Sequence, residues 1–141
     1  MRLLVDTAVF VYARGNAHHY RDPCRRILTA AAAGSVVLEA SAELVQEFAH
    51  LLRRRGLPGA DVRAEALDAA DTCVLHPVDA DDVRAALGLL VAHPALQVRD
   101  AVHAATALRR GIGTVVSPDR AFGDVPGLER LDPVVLADRL G

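Results

Sequence analysis

Four acidic residues stand where their surroundings favour chemistry. Asp6 ends the apolar run Arg2-Leu-Leu-Val-Asp6-Thr7 that opens the chain. Such a run reads as a buried parallel strand, and in open α/β sheets ligands bind beyond the carboxyl ends of the strands. Asp119 follows a second such run, Gly113-Thr-Val-Val116, by way of Ser117-Pro118. If both strands are parallel, the two acids share one edge of the sheet. Asp100 opens a stretch from Val98 to Gly111 in which Ala104 and Ala107 lie on its side of a helix, and a face of alanine lets a helix approach a sheet closely. Glu47 lies just off the stripe formed by Leu44, Val45, Phe48, Leu51 and Leu52, where an acid is costly without a partner. Glu43 sits ~40° further toward solvent and has a simpler explanation as a first-turn acid that favours the helix dipole. Clustered carboxylates repel unless a cation lies among them. With no CxxC pair and no paired-histidine motif, the set suits Mg²⁺ or Mn²⁺ better than zinc. Such an ion activates water and polarises a phosphoryl oxygen.

The remaining acids have plainer readings. Asp79, Asp81 and Asp82 cap a helix and complement its dipole, whereas Asp61, Glu65 and Asp68 mark the wet face of a polar-alanine helix. His103, beside Asp100 on its helix, reads as a packing or hydrogen-bonding histidine rather than a ligand.

The elements that must position the acids follow in order. After Asp6, Thr7 to Arg14 forms a short helix or turn, and Gly15 to His19 a loop. Asp22 caps a helix with Pro23 at its first position and Gly34 beyond its end. Val36-Val-Leu38 is a second strand. Ser41 caps a helix to about Arg55, and another spans Gly59 to about Asp71. Cys73-Val-Leu75 is a third strand, and Asp79 caps a helix stopped by His93-Pro94. The helix bearing Asp100 and the strand ending at Val116 come next. A short edge strand near Arg130-Leu131 and a final helix, capped by Asp132-Pro133 and running to Leu140, complete the chain. The fold class expected is α/β, with a short, mostly parallel sheet.

At 141 residues the chain fits one domain, 1–141, with no repeat or low-complexity linker. Its two cysteines are unpaired in the sequence pattern and no signal-like segment opens it, so a reducing, cytoplasmic setting is expected. No apolar run reaches the roughly 20 residues of a membrane span. The net charge of −2 does not announce a nucleic-acid binder, but all 16 basic residues are arginine, whose planar fork suits phosphate oxygens.

Four ordered segments resemble the PIN-domain ribonucleases, and among them the VapC-type toxins of bacterial toxin–antitoxin pairs. They are Leu4-Val-Asp6-Thr7, Ser41 through Glu47-Phe48, Asp100-Ala-Val-His-Ala-Ala-Thr-Ala107, and Val115-Val-Ser117-Pro-Asp119-Arg-Ala-Phe122. The resemblance covers essentially the whole chain. It implies a three-layer α/β/α sandwich and a Mg²⁺- or Mn²⁺-dependent endoribonuclease acting on structured RNA such as tRNA or rRNA. Asp6 and Asp100 would be the principal metal ligands, Asp119 would complete the site directly or through water, and Glu47 would hold a second ion or orient the attacking water. Ser117, matching the family's hydroxyl residue, would hold Asp6, with Thr7 as a further supporting residue. Similar proteins form homodimers and are blocked by an antitoxin whose segment enters the active-site groove.

Arg53, Arg54, Arg55, Arg109 and Arg110 are candidates for RNA phosphates, although arginines at helix C-termini also favour the dipole. Other chemistries lack their marks. A haloacid-dehalogenase-type phosphatase needs a second Asp where Ala8 stands, a dinucleotide fold needs a glycine-rich turn after the first strand, and a phosphoacceptor domain needs a lysine. The remaining rival is a PIN-like module that binds RNA or protein without turnover. Four mutually repelling acids argue against it.

Overall fold

Strands of three and four residues build the centre of the protein. In a computed structural model describing residues 1–141, β1 (Leu3–Val5) is wholly buried. It pairs in parallel with β2 (Leu38–Ser41) on one side and β4 (Thr114–Val116) on the other. The edge strands β3 (Cys73–His76) and β5 (Glu129–Leu131) complete a five-stranded, all-parallel sheet in the order β3-β2-β1-β4-β5. Parallel pairing requires long crossovers, and helices supply them. They are α1 (Thr7–Arg14), α2 (Arg21–Ala32), α3 (Ala42–Arg54), α4 (Gly59–Thr72), α5 (Ala80–Ala92), α6 (Val98–Arg109) and, after β5, α7 (Pro133–Leu140).

Side-chain alternation along the strands makes the three layers. Leu3, Val5, Ala40 and Val116 face one way, into a core shared with Phe10, Ile27, Leu44, Phe48, Leu52 and Leu136. Leu4 and Val115 face the other, against Ala101, Ala104, Ala105, Ile112 and Phe122. Helix α6 is buried from Ala101 to Ala107, and its small side chains let it lie close on the sheet, as the alanine run predicts. The α/β/α sandwich expected from the sequence is the fold observed. No helix is long and apolar enough to cross a membrane.

The strand order matters for function. The chain leaves β1 for β2 on one side and later returns to β4 on the other, which makes the gap between the carboxyl ends of β1 and β4 a topological switch point. Asp6 directly follows β1, and Ser117–Asp119 directly follow β4.

Three local expectations shift. Helix α2 is capped by Tyr20 rather than Asp22, and Pro23 falls within its first turn, where the missing N–H leaves no hydrogen bond unmade. Strand β2 begins at Leu38 rather than Val36, because its parallel register starts at Leu3↔Leu38 and the residues before have no strand to pair with. Ser41 occupies the cap position of α3 but its side chain caps nothing; its hydroxyl is used elsewhere. The capping expected at Asp79 is present in full, as a reciprocal box with Asp82.

Candidate active site

The segments ending β1 and β4 set the floor of the site. Ser117 Oγ donates to Asp6 Oδ2 at 2.7 Å and accepts the Asp119 backbone N–H at 2.9 Å, so one buried hydroxyl positions both strand-end acids. Asp119 Oδ1 in turn accepts the backbone N–H of Ala121 at 2.9 Å, fixing an otherwise exposed carboxylate at the start of a 3₁₀ turn, Arg120–Asp124. Helices α3 and α6 bring Glu47 and Asp100 over this floor. A cleft of about 260 Å³ is lined by Asp6, Thr7, Ala8, Val11, Glu47, Leu51, Asp100 and Asp119. All four acids singled out from the sequence meet there. Glu43 does not line it, and its nearest cationic partner is Arg99 at 3.8 Å.

His103, a packing or hydrogen-bonding histidine by its sequence context, is the pivot of the site. It is fully buried, with Nδ1 2.8 Å from Ser41 Oγ and Nε2 3.2 Å from both Glu47 Oε1 and Thr7 Oγ1. An ionised carboxylate only accepts, so Nε2 carries the proton it donates to Glu47. Nδ1 then accepts the Ser41 hydroxyl proton in the neutral ring, or donates to that oxygen in the cation. Neither form leaves a lone pair toward the cleft. His103 therefore acts as a hydrogen-bonding residue, as its sequence context indicates. The signal for it was present: a histidine on the alanine face of a helix must be buried, and a buried imidazole needs two partners.

The electrostatics follow from this arrangement. Burial pushes the Asp100 carboxyl up, and the charges of Asp6, Asp119 and Glu47 push it further, to about 7. Asp6 is raised as well, chiefly by burial, against the opposing pull of His103 and Ser117. Burial also works against charge on Glu47, but hydrogen bonds from His103 and Thr7 outweigh it and hold the carboxyl below its usual value. For His103, burial favours the neutral ring, yet the surrounding carboxylates prevail and raise its pKa. The cleft thus contains two carboxyls strained toward protonation and one kept ionised. Asp6, Asp100 and His103 present ligand-type atoms within 4.8 Å of one another, and with the histidine nitrogen committed, the available donors are carboxylate oxygens. That is a hard-donor set suited to Mg²⁺ or Mn²⁺.

The arginines divide. Arg53, Arg54 and Arg55 are exposed at the end of α3 and make no side-chain hydrogen bond. Arg109 and Arg110 are otherwise engaged: their guanidiniums donate to Asp82, at 2.6 and 3.0 Å, tying the end of α6 to the start of α5. They serve the fold at the opposite end of α6 from Asp100.

Residues 3–128 match the PIN domain family. Ribonuclease VapC7 of Mycobacterium tuberculosis is 34% identical over 134 residues, covering 93% of this chain and 91% of its own length. Among solved structures, VapC20 of M. tuberculosis, described as a sarcin-ricin-loop-cleaving toxin, superposes with a TM-score of 0.63 at 24% identity, over 80% of this chain and 86% of its own. VapBC2 of Rickettsia felis, bound to a promoter DNA fragment, gives 0.68 at 13% identity over 94% and 98%. These structural likenesses concern the fold. The chain belongs to the PIN-domain family, in its VapC ribonuclease branch.

Proposed function

We propose that this chain is a metal-dependent endoribonuclease, the toxin of a toxin–antitoxin pair, with its site built from Asp6, Glu47, Asp100 and Asp119. The observation that carries this reading is the convergence of four carboxylates from separate segments on one small cleft, where burial first and the neighbouring charges second raise Asp100 to about 7. A protein tolerates such repulsion where a cation resolves it. Mg²⁺ or Mn²⁺, held by Asp6 and Asp100 and completed by Asp119, would lower the pKa of a bound water and polarise the phosphoryl oxygen.

The chain's own residues supply orientation and proton handling. Ser117 fixes the Asp6 carboxylate. Glu47, kept ionised by His103 and Thr7, can accept a hydrogen bond from the attacking water and receive its proton as the phosphodiester is cut. Structured RNA is the substrate class, consistent with the ribonuclease relatives.

Two partners belong to the reading. The first is an antitoxin, as in the toxin–antitoxin complex from Klebsiella pneumoniae, and the acidic cleft suits a cationic side chain from such a protein. The second is a further copy of the chain, for which α5 exposes Val83, Leu87 and Val91 at helical spacing along one side. The non-catalytic module is disfavoured by the same four acids.

The test is incubation of total RNA with the purified protein and Mg²⁺ or Mn²⁺, beside an EDTA control and Asp6→Asn, with the new ends mapped. Discrete cuts that disappear in both controls are expected. Intact RNA under every ion tried would reject the catalytic reading.

A further inference from the structure

The connection between α1 and α2 gathers the chain's two tyrosines with two of its six histidines. Ring centroids lie 4.7 Å apart for Tyr12 and His18, 4.4 Å for His18 and His19, 4.2 Å for His19 and Tyr20, and 5.5 Å for Tyr12 and Tyr20. His18 and His19 are exposed and the tyrosines half-buried, whereas all three phenylalanines are in the core. The amphipathic rings are therefore collected at the surface.

This cluster is joined to the acid cleft on two sides. Tyr12 directly follows Val11, which lines the cleft. The Tyr20 hydroxyl donates to Asp132 Oδ2 at 2.6 Å, and the same oxygen accepts from Arg130 at 2.8 Å. Arg130 also donates to the carbonyls of Ser117 and Pro118, the segment that holds Asp6 and Asp119. Next in sequence, Arg21 makes no side-chain hydrogen bond, and its Nε is buried without a partner. Its nearest acid, Asp22, is 3.8 Å away.

We propose that Tyr12, His18, His19 and Tyr20 form a stacking platform for unstacked RNA bases beside the acid cleft, with Arg21 contacting a phosphate. The proposal rests on the ribonuclease reading and adds to it how a single-stranded segment is held. Tyr20 is held through its hydroxyl and His18 through Nδ1, which accepts the Tyr20 backbone N–H, and base stacking on aromatic side chains is how unpaired nucleotides are commonly gripped. Arg21, which follows Tyr20 in sequence and whose guanidinium makes no hydrogen bond, supplies a charge suited to the backbone that accompanies those bases.

The chain contains no tryptophan, so its fluorescence arises from Tyr12 and Tyr20, both in the platform. The probe is an oligouridylate of about 12 nucleotides, within the site sizes of single-strand binders, set against an abasic strand of equal length. Titrations are run in the Asp6→Asn background to prevent cleavage. Saturable tyrosine quenching by oligouridylate, and none by the abasic strand, is expected. His18→Ala/His19→Ala should weaken oligouridylate binding by about tenfold or more without altering its salt slope. Arg21→Ala should reduce that slope by about 0.7.

Equal quenching by both strands, undiminished binding by the folded His18→Ala/His19→Ala protein, or quenching by a purified antitoxin but not by RNA would overturn the platform. Cleavage of total RNA by the wild-type chain is measured in parallel. Cleavage without base-dependent quenching rejects the platform and leaves the ribonuclease reading intact. Histidine-dependent quenching without cleavage under any ion does the reverse.

Discussion

Helix α6 carries opposite electrostatic arrangements at its two ends. At its start, Asp100 lies among Asp6, Glu47 and Asp119 with no arginine within the cleft lining, and its carboxyl rises to about 7. At its end, Arg109 and Arg110 surround Asp82, which is fully inaccessible and held far below the usual carboxylate range, chiefly by its hydrogen bonds from Arg110. Both ends obey the helix dipole, acid first and base last. They differ in whether the acids are neutralised. Arginine-paired carboxylates hold α5 to α6, whereas the cleft acids share only the buried His103 among them and leave an excess of negative charge for something that binds.

The largest effect is expected where pairing is removed. Asp82→Asn removes the buried acceptor of Arg109 and Arg110, and because both arginines keep access to water the loss is that of charge-assisted hydrogen bonds, up to about 3 kcal/mol. Chemical denaturation should register that loss, while cleavage per folded molecule stays at the wild-type level. An unchanged midpoint would remove the contrast between the two ends.

Asp100→Asn should do the opposite. Cleavage should fall by more than about a hundredfold, the upper range seen even for partners outside a metal's own ligands. The metal-free protein should become more stable, since a repelling carboxylate has been neutralised. A destabilised Asp100→Asn would show that the cleft is not under electrostatic strain. Glu47→Gln sharpens the same point: a loss of roughly 10–100-fold is expected, against less than about twofold for Glu43→Gln, whose side chain lies outside the cleft beside Arg99. The reverse order in a cleavage assay would transfer the role to Glu43.

Much of this was legible in the residues, for identifiable reasons. Asp6 and Asp119 end apolar runs, and the end of a buried strand is a local property. The 100° projection puts Glu47 nearer the apolar stripe than Glu43, but the two side chains are similarly half-buried, and what separates them is that Glu47 alone lines the cleft. What escaped detection is what depends on distant partners. Ser41 reads locally as a cap, yet its hydroxyl serves His103, 62 positions away. Arg109 and Arg110 read as free cations because nothing near them in sequence announces Asp82, 27 and 28 positions earlier. The apolar run Val36–Leu38 points to a strand there, whereas β2 runs Leu38–Ser41 and shares only Leu38 with it, because the register with β1 and β3, not local apolarity, selects the paired residues.

The smallest effect concerns pH, and its sign differs between paired and unpaired acids. Glu39 is held at about 2 by Arg2, with a further hydrogen bond from His76. Like Asp82, it has a folded pKa below its unfolded one. Its contribution is therefore full above pH ~4 and lost as pH falls toward 2. Asp100, raised to about 7, binds a proton in the folded state that the unfolded chain has released, so stability declines as pH rises from ~4 through 7. Metal-free protein should be most stable in mildly acidic solution and fall off on both sides. A divalent cation bound to the ionised cleft should lift the neutral side alone. The lift itself grows with ion concentration over Kd; the pH-dependent part contributed by Asp100, discounted for solvent screening, is of order 1 kcal/mol, or roughly 3–5 °C in Tm for a chain of this size. Thermal unfolding at pH 5 and pH 8, with and without Mn²⁺, measures it. A Mn²⁺-induced rise at pH 8 that shrinks at pH 5 and is absent in Asp100→Asn ties the strain in the cleft to cation binding. A rise of equal size at both pH values would place the ion elsewhere and separate Asp100 from it.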